Sequence, residues 1–297
     1  MSSATNKKKM NGFQVPHHRS SLVILLLALG LTGCVSVSGG LSRGIVQAIA
    51  NQDDPAIVRD GAPAYLLMID GFIEDRPKSR PMLIAGARLY GAYAAAFVED
   101  PERAGRLAVR ARNYGRRALC LDYPQICEKE HQPYEEFLQR LATVDEGEID
   151  ALYTYGLSLA IWIQTHTGEW NALVDLPKAE AVMLRVVQLD ASYEKGQPYL
   201  LLGVMNSYLP PALGGQPEKG RAYFEKAIEL SNGRNLSAKV EMAGRYARMV
   251  FDKPLHDQLL TEVLEADPVD PAMTLSNTLA QQRARKLLDT SDEYFLE

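Results

Sequence analysis

Six arginines crowd one stretch of this 297-residue chain: Arg103, Arg106, Arg110, Arg112, Arg116 and Arg117. A guanidinium is planar and always charged, and it grips a carboxylate through two parallel hydrogen bonds. The stretch therefore has two readings. It is a solvated face pairing with acids of its own chain, or a docking face for an acidic partner, with Arg112 and Arg116 foremost. Other chemistry finds less to work with. No Gly-rich phosphate loop, nucleophile elbow or His-Glu-x-x-His helix occurs. Cys120, Cys127, His131, His166 and His256 are too scattered to make a metal-ligand cluster, so neither metal nor cofactor is expected. Glu146 and Glu148 precede a helix and favour its N-terminus. Glu128 and Glu130, near His131, fall in a loop where charge is solvated. Nothing selects two carboxylates for acid–base work, and the chain does not read as an enzyme.

A second constellation is aromatic and apolar. Tyr153, Tyr155, Trp162 and Trp170 cluster in one part of the chain, and Tyr199, Tyr208 and Tyr223 in the next. Helical spacing makes most of them core. Tyr and Trp also line concave sites that need an apolar body with a polar tip. Among them lies Leu209-Pro210-Pro211-Ala212-Leu213-Gly214-Gly215. The prolines lack an amide donor, and the glycines accept backbone angles that other residues avoid, so this elbow is not helix. It is a hairpin connector, or it also lines a pocket or meets a partner. On the second reading the candidate residues are Tyr155, Trp162, Tyr199, Tyr208, Leu209, Pro210, Pro211, Leu213, Gly214 and Gly215.

The elements that must position these groups are helices. After the elbow, Pro217 suits a first helical turn, and Ala222, Phe224, Ala227, Ile228 and Leu230 follow at mostly helical spacing. The run is close to A-x-x-x-F-x-x-A-I-x-L, the later helix of a tetratricopeptide repeat. Ala118-Leu119-Cys120-Leu121-Asp122 echoes Val186-Val187-Gln188-Leu189-Asp190 two repeat periods later, and similar runs end at Ser231 and Asp267. Four hairpins are expected, over 82–122, 145–190, 199–231 and 236–267. Gly91, Gly156, Gly203 and Gly244 are the points of close helix approach. A short helix over 41–51 and a longer one from Asp54-Pro55 to Phe72 come first, and a last helix runs over 271–289. The breaks are 79–81 and 123–133. The fold class is therefore all-α, a tetratricopeptide-repeat-like helical-hairpin solenoid with capping helices and a concave face.

The N-terminus is an address. Lys7, Lys8, Lys9 and Arg19 precede the short apolar run Leu22 to Leu29, and Leu31-Thr32-Gly33-Cys34 closes it. The last four residues resemble a lipobox, which makes residues 1–33 a signal peptide, Cys34 a lipidated N-terminus and 34–40 a tether to the domain at 41–297. Val35 stands where an aspartate would suggest inner-membrane retention, so the periplasmic face of the outer membrane is the expected location. An oxidising periplasm permits a disulfide, and a turn after Asp122 could bring Cys120 and Cys127 together. The signal segment holds four of the 32 basic residues and none of the 37 acids, leaving 28 against 37 over 34–297. An acidic body excludes nucleic acid as a partner.

Leu209 to Gly215, set ahead of the helix that bears Phe224 and Leu230, resembles the lipoprotein that accompanies tripartite ATP-independent periplasmic (TRAP) transporters, the T-component family. The resemblance implies a tetratricopeptide-repeat protein that forms a homotrimer and binds the system's periplasmic solute-binding protein. It also implies an internal channel or pocket for a small apolar or amphipathic ligand. The alternative is an outer-membrane assembly or scaffold adaptor with a peptide-binding groove.

Overall fold

A computed structural model describes residues 37–127 and 133–296. The signal peptide, Cys34, Glu128, Glu130 and His131 lie outside the described residues. The chain divides into two compact units, Met1–Leu41 and Ser42–Glu297, and the architecture below is that of the second. Among the described residues every regular element is helical, and no helix is long and apolar enough to cross a membrane.

The helices start where aspartate and proline say they should. Asp54 accepts a hydrogen bond from Ala56 N at 2.8 Å, Asp100 from Glu102 N at 2.9 Å, and Asp252 from Leu255 N at 3.0 Å. In each case a proline follows in the first turn, where its missing amide is no loss. The elements are α1 (Val37–Ala50), α2 (Pro55–Asp75), α3 (Arg80–Phe97), α4 (Pro101–Cys120), α5 (Pro124–Cys127), α6 (Tyr134–Leu141), α7 (Ile149–Thr165), α8 (Trp170–Val174), α9 (Leu176–Leu189), α10 (Gln197–Asn206), α11 (Pro217–Leu230), α12 (Leu236–Glu241), α13 (Lys253–Glu265), α14 (Thr274–Asp289) and α15 (Ser291–Phe295). A π-helical turn, Met242–Ala247, continues α12.

The four expected hairpins are α3–α4, α7–α9, α10–α11 and α12–α13. Within and between the hairpins, helices meet through contacts that only a small residue allows. A Cβ on Gly203 would lie 2.6 Å from the Phe224 ring, and one on Gly156 2.7 Å from Val182. One on Gly91 would meet Ile161 of the following hairpin at 2.8 Å. Gly244 is looser: its nearest neighbour is Leu287 of α14, at 3.3 Å. Phe224, Leu83, Leu152 and Leu202 are wholly buried in the resulting core.

Beyond shifted starts at Arg80 and Thr274, four details differ from the sequence expectation. First, α1 begins at Val37, so Ser42 lies inside it and 37–40 is helical. Second, α2 runs on to Asp75, past Phe72. Third, the stretch read as a break at 123–133 contains the single turn α5, and Cys120 is joined to Cys127 across it with Cα atoms 6.1 Å apart. Fourth, Pro211–Leu213 of the elbow makes a 3-10 turn, with Leu213 N donating to Pro210 O at 2.9 Å. Pro211 at its first position needs no amide partner, and Gly214 leaves the turn at φ +91°.

The coil of hairpins returns on itself. α14 packs against α12 and α13 and also touches α2, and Ala272 N donates to Asn51 Oδ1 at 2.7 Å. Midway, Glu194, Lys195 and Gly196 all take positive φ (+44°, +55° and +83°). Non-glycine residues in that region cost of order 1 kcal/mol or more each, so surrounding contacts must hold them. Glu194 binds Arg88 of α3 at 2.6 Å, and Lys195 binds Asp270, ahead of α14, at 2.8 Å.

These approaches make a comparison of two glycines informative. Gly203→Ala should destabilise the protein by about 1–3 kcal/mol, because the Phe224 ring must shift in a filled core. Gly244→Ala should be neutral or stabilising, since Leu287 is a flexible side chain and alanine favours helix by up to about 1 kcal/mol. Urea midpoints of the two variants check this; equal midpoints would contradict it.

Candidate functional site

The packed helices leave space between them. A chamber of about 50 Å³ is walled by Ile161 and Ile163 of α7, Leu176 of α9, Leu201, Val204 and Met205 of α10, and then Tyr208 and Arg245. A wider cavity of about 490 Å³ lies between Ala95 and Ala96 of α3, Val240 and Glu241 of α12, and Ala280, Arg283 and Lys286 of α14. The two cavities share one ion cluster. Glu241, which lines the wider one, accepts from Arg245 Nε at 2.5 Å, and Arg245 lines the chamber. Arg283 donates Nη1 to the other oxygen of Glu241. Burial acts to raise the Glu241 pKa, but the two guanidiniums outweigh it and hold the carboxyl below its usual range. Sequence reasoning missed this group. Glu241 and Arg245 stand four apart, the ordinary spacing of a solvated helix pair.

The arginine-rich helix α4 forms the wall of a separate open cleft of about 580 Å³, with Asp70 and Glu74 of α2 opposite Arg106, Arg110, Arg116 and Arg117. Asp70 is its polar centre. It accepts from Tyr90 Oη and Tyr114 Oη, each at 2.7 Å, and pairs with Arg110. Burial first, and then the Asp70 hydrogen bonds, push both tyrosines above their ordinary pKa. The two arginines singled out by sequence do not stand together. Arg112 turns inward: its guanidinium lies 4.0 Å from the Trp162 ring centre and pairs with Asp175 at 3.3 Å. Arg116 is exposed and donates to Cys127 O, beside the disulfide. Arg106, also exposed, pairs with Glu102 one turn away.

The aromatic residues also part company. Trp162 is buried under Arg112. Tyr155 is half-buried against the core, and burial raises its pKa to about 12. Tyr199 and Tyr223 pack ring to ring at 6.0 Å. Of the expected set, Tyr208 alone lines the chamber. The elbow folds compactly outside it. Gly215 N donates to Pro210 O at 3.1 Å and Gln216 N to Asn206 O at 2.9 Å, while a Cβ on Gly215 would run into Leu209 O. Leu209 is half-buried; Pro210, Pro211 and Gly214 are exposed, and Leu213 is 68% exposed. The elbow therefore presents an apolar tip outward and contributes no wall to the chamber.

A family model described as TRAP transporter T-component matches residues 51–295. A protein of Treponema pallidum (strain Nichols), which bears only the description "Uncharacterized protein", is 26% identical over 274 residues, covering 84% of this chain and 83% of its own length.

Neither description names a catalytic activity, and the Ser–His–Asp grouping in the described residues is arranged for another purpose. His256 is fully buried; its Nε2 accepts from Arg248 Nε at 3.2 Å and its Nδ1–H faces Asp257 Oδ1 at 2.8 Å. Ser291 donates to Asp257 rather than to the imidazole, at 2.5 Å. No base is free to take the serine proton, so the group is a structural tie between α13 and α15. Burial is the main cause holding the His256 pKa below 6.5, the Asp257 hydrogen bond opposing it. The unfolded chain therefore takes up this proton first, and stability is lost as pH falls below about 6.5. Replacing His256 with Gln should flatten the fall in the urea midpoint between pH 7 and pH 5. An unchanged slope would show that other groups govern it.

Proposed function

The chain belongs to the TRAP transporter T-component family, and on that premise we propose that it works from the periplasmic face of the outer membrane, held by lipid on Cys34, as the partner of the uptake system's solute-binding protein. Association with TRAP transporters, and so with the cell envelope, comes with the family, which is an accessory transporter component rather than an enzyme family. The observation that carries the rest is the space between the helices: a ligand passing between transporter parts needs shelter, and the chamber among α7, α9 and α10, with the groove among α3, α12 and α14, offers it. The ligand on this reading is small and apolar or amphipathic.

Two surfaces support docking. The cleft beside α4 carries four arginines against Asp70 and Glu74 in an otherwise acidic chain, which suits an acidic face of the solute-binding protein. The exposed tip around Leu213 is stiffened by two prolines, so little further freedom is lost when a partner covers it. For the homotrimer, the support is the set of apolar side chains that α2 leaves exposed, Ile57, Tyr65, Leu67 and Phe72.

Two measurements test this reading. Cys34→Ser should shift the protein from the membrane fraction to a soluble or uncleaved form; equal retention rules out the anchor. Reversing Arg106 and Arg117 to Glu should weaken the complex with the cognate solute-binding protein by about tenfold or more and lessen its salt dependence. Unchanged affinity and salt dependence would leave the cleft as surface charge.

A further inference from the structure

Two local rules are broken side by side where α13, α14 and α15 come together. The helical run that continues α12 closes with Asp252 N donating to Ala247 O at 2.8 Å, and this closure holds Phe251 at φ +60°. Glycine suits that left-handed place, and asparagine after it. After α11 the same closure, Gly233 N to Ile228 O at 2.8 Å, uses Asn232 at φ +51°. A phenylalanine there carries backbone strain, and its ring gains no burial in return, for it stays 55% exposed. Asp289 breaks the second rule. It is the last residue of α14, where the helix end is partially negative and disfavours an acid. It is exposed and pairs with no described residue. Neither side chain serves its own helix end, so each is accounted for by what it presents outward.

What they present is one surface. Phe251 meets Phe295 at 5.2 Å and Tyr294 at 6.4 Å between ring centres, and the neighbouring Val250 and Leu296 are exposed as well, Leu296 by 84%. The cations in this surface are already committed. Arg248 lies 4.3 Å from the Tyr294 ring centre and donates to His256, Leu287 O and Thr290. Lys253 is held by Asp257 and Asp292. Asp289 and Glu293, in contrast, are exposed carboxylates without a partner among the described residues.

We infer that this aromatic, acid-edged face docks a lysine- or arginine-bearing apolar segment of another protein. Its apolar side chains cover Phe251, Tyr294 and Leu296, and its cations meet Asp289 and Glu293. Aromatic faces attract cations as carboxylates do, so both parts of the surface select the same partner. A second copy of this chain would bring like charges together, and anionic lipid would be repelled. The face is distinct from the arginine cleft and opposite in sign, so the two surfaces admit different partners.

Fluorescence anisotropy with a labelled amphipathic peptide of leucine and lysine tests this on the full-length protein in zwitterionic lipid nanodiscs, with empty discs as the blank. The peptide should bind about tenfold or more tighter than a leucine–glutamate peptide of the same length and spacing. Phe251→Asn should weaken it by about tenfold or more while the urea midpoint holds or rises, because asparagine suits the left-handed turn. Leu296→Ser should also weaken it, with the midpoint unchanged. Reversing Asp289 and Glu293 to Lys should weaken it and lessen its salt dependence. Equal binding of the two peptides, no binding of the lysine peptide, or binding untouched by both Phe251→Asn and Leu296→Ser overturns the assignment. A sharp fall in the Phe251→Asn midpoint overturns it too, by making that ring a packing residue. So does a change of subunit number in Phe251→Asn by native mass spectrometry, which makes the face a contact between copies. Binding of the Cys34→Ser protein to zwitterionic vesicles, lost in Phe251→Asn, gives the face to lipid instead and equally overturns it.

Discussion

A helical hairpin has two apolar faces and can cover only one of them by itself. The rest of this structure follows from that constraint. Each hairpin closes on itself and passes its uncovered face to the next, and both contacts must be close enough to exclude water, which is why Gly156 and Gly203 stand where Val182 and Phe224 of their own hairpins arrive, and Gly91 where Ile161 of the next one does. An open coil would leave an apolar face at each end. Here the sequence bends far enough for α14 to cover α12 and α13 and to reach α2. What remains exposed at the start is the outer stripe of α2, with Ile57 and Leu67 well over half accessible.

Polar groups make the joints between hairpins that apolar packing leaves unspecified. Arg88 of α3 binds Glu194, Tyr193 Oη and Thr154 Oγ1, so three separate segments meet on one guanidinium. Burial opposes its charge, yet the surrounding oxygens hold its pKa above the ordinary value. Asp270 gathers Lys195 and Arg234 in the same way, and its pKa is lowered, chiefly by the Lys195 hydrogen bond. Truncating one member of such a group leaves another buried without a partner, which is more damaging than the pair is stabilising.

The architecture was legible in the sequence because it is periodic. The glycines, the Asp-Pro helix starts and the run ending at Leu230 each report a local requirement, and locality is what a sequence displays. The site was less legible because its groups come from distant segments. Arg112 reads as one surface arginine among six, and nothing in its neighbours reveals that Trp162 and Asp175 will enclose it. Glu241 and Arg245 read as a helix-surface pair until Arg283 arrives from α14. The elbow announces itself through two prolines and two glycines, but composition says only that the chain turns there. Which way Leu213 points depends on how Gly215 N and Gln216 N close the loop.

The seal between the two ends of the coil has a kinetic side. Repeat hairpins fold from near neighbours, and such contacts form quickly. The bond from Ala272 N to Asn51 spans almost the whole domain, and it is the slowest kind of contact for a chain to find. A chain made from its N-terminus forward has α2 and α3 in place long before α14 exists. During that interval the apolar flank of α12 awaits its cover. The protein is thus most prone to self-association when nearly complete, and losses at its last helix should act on yield more than on the hairpins already formed.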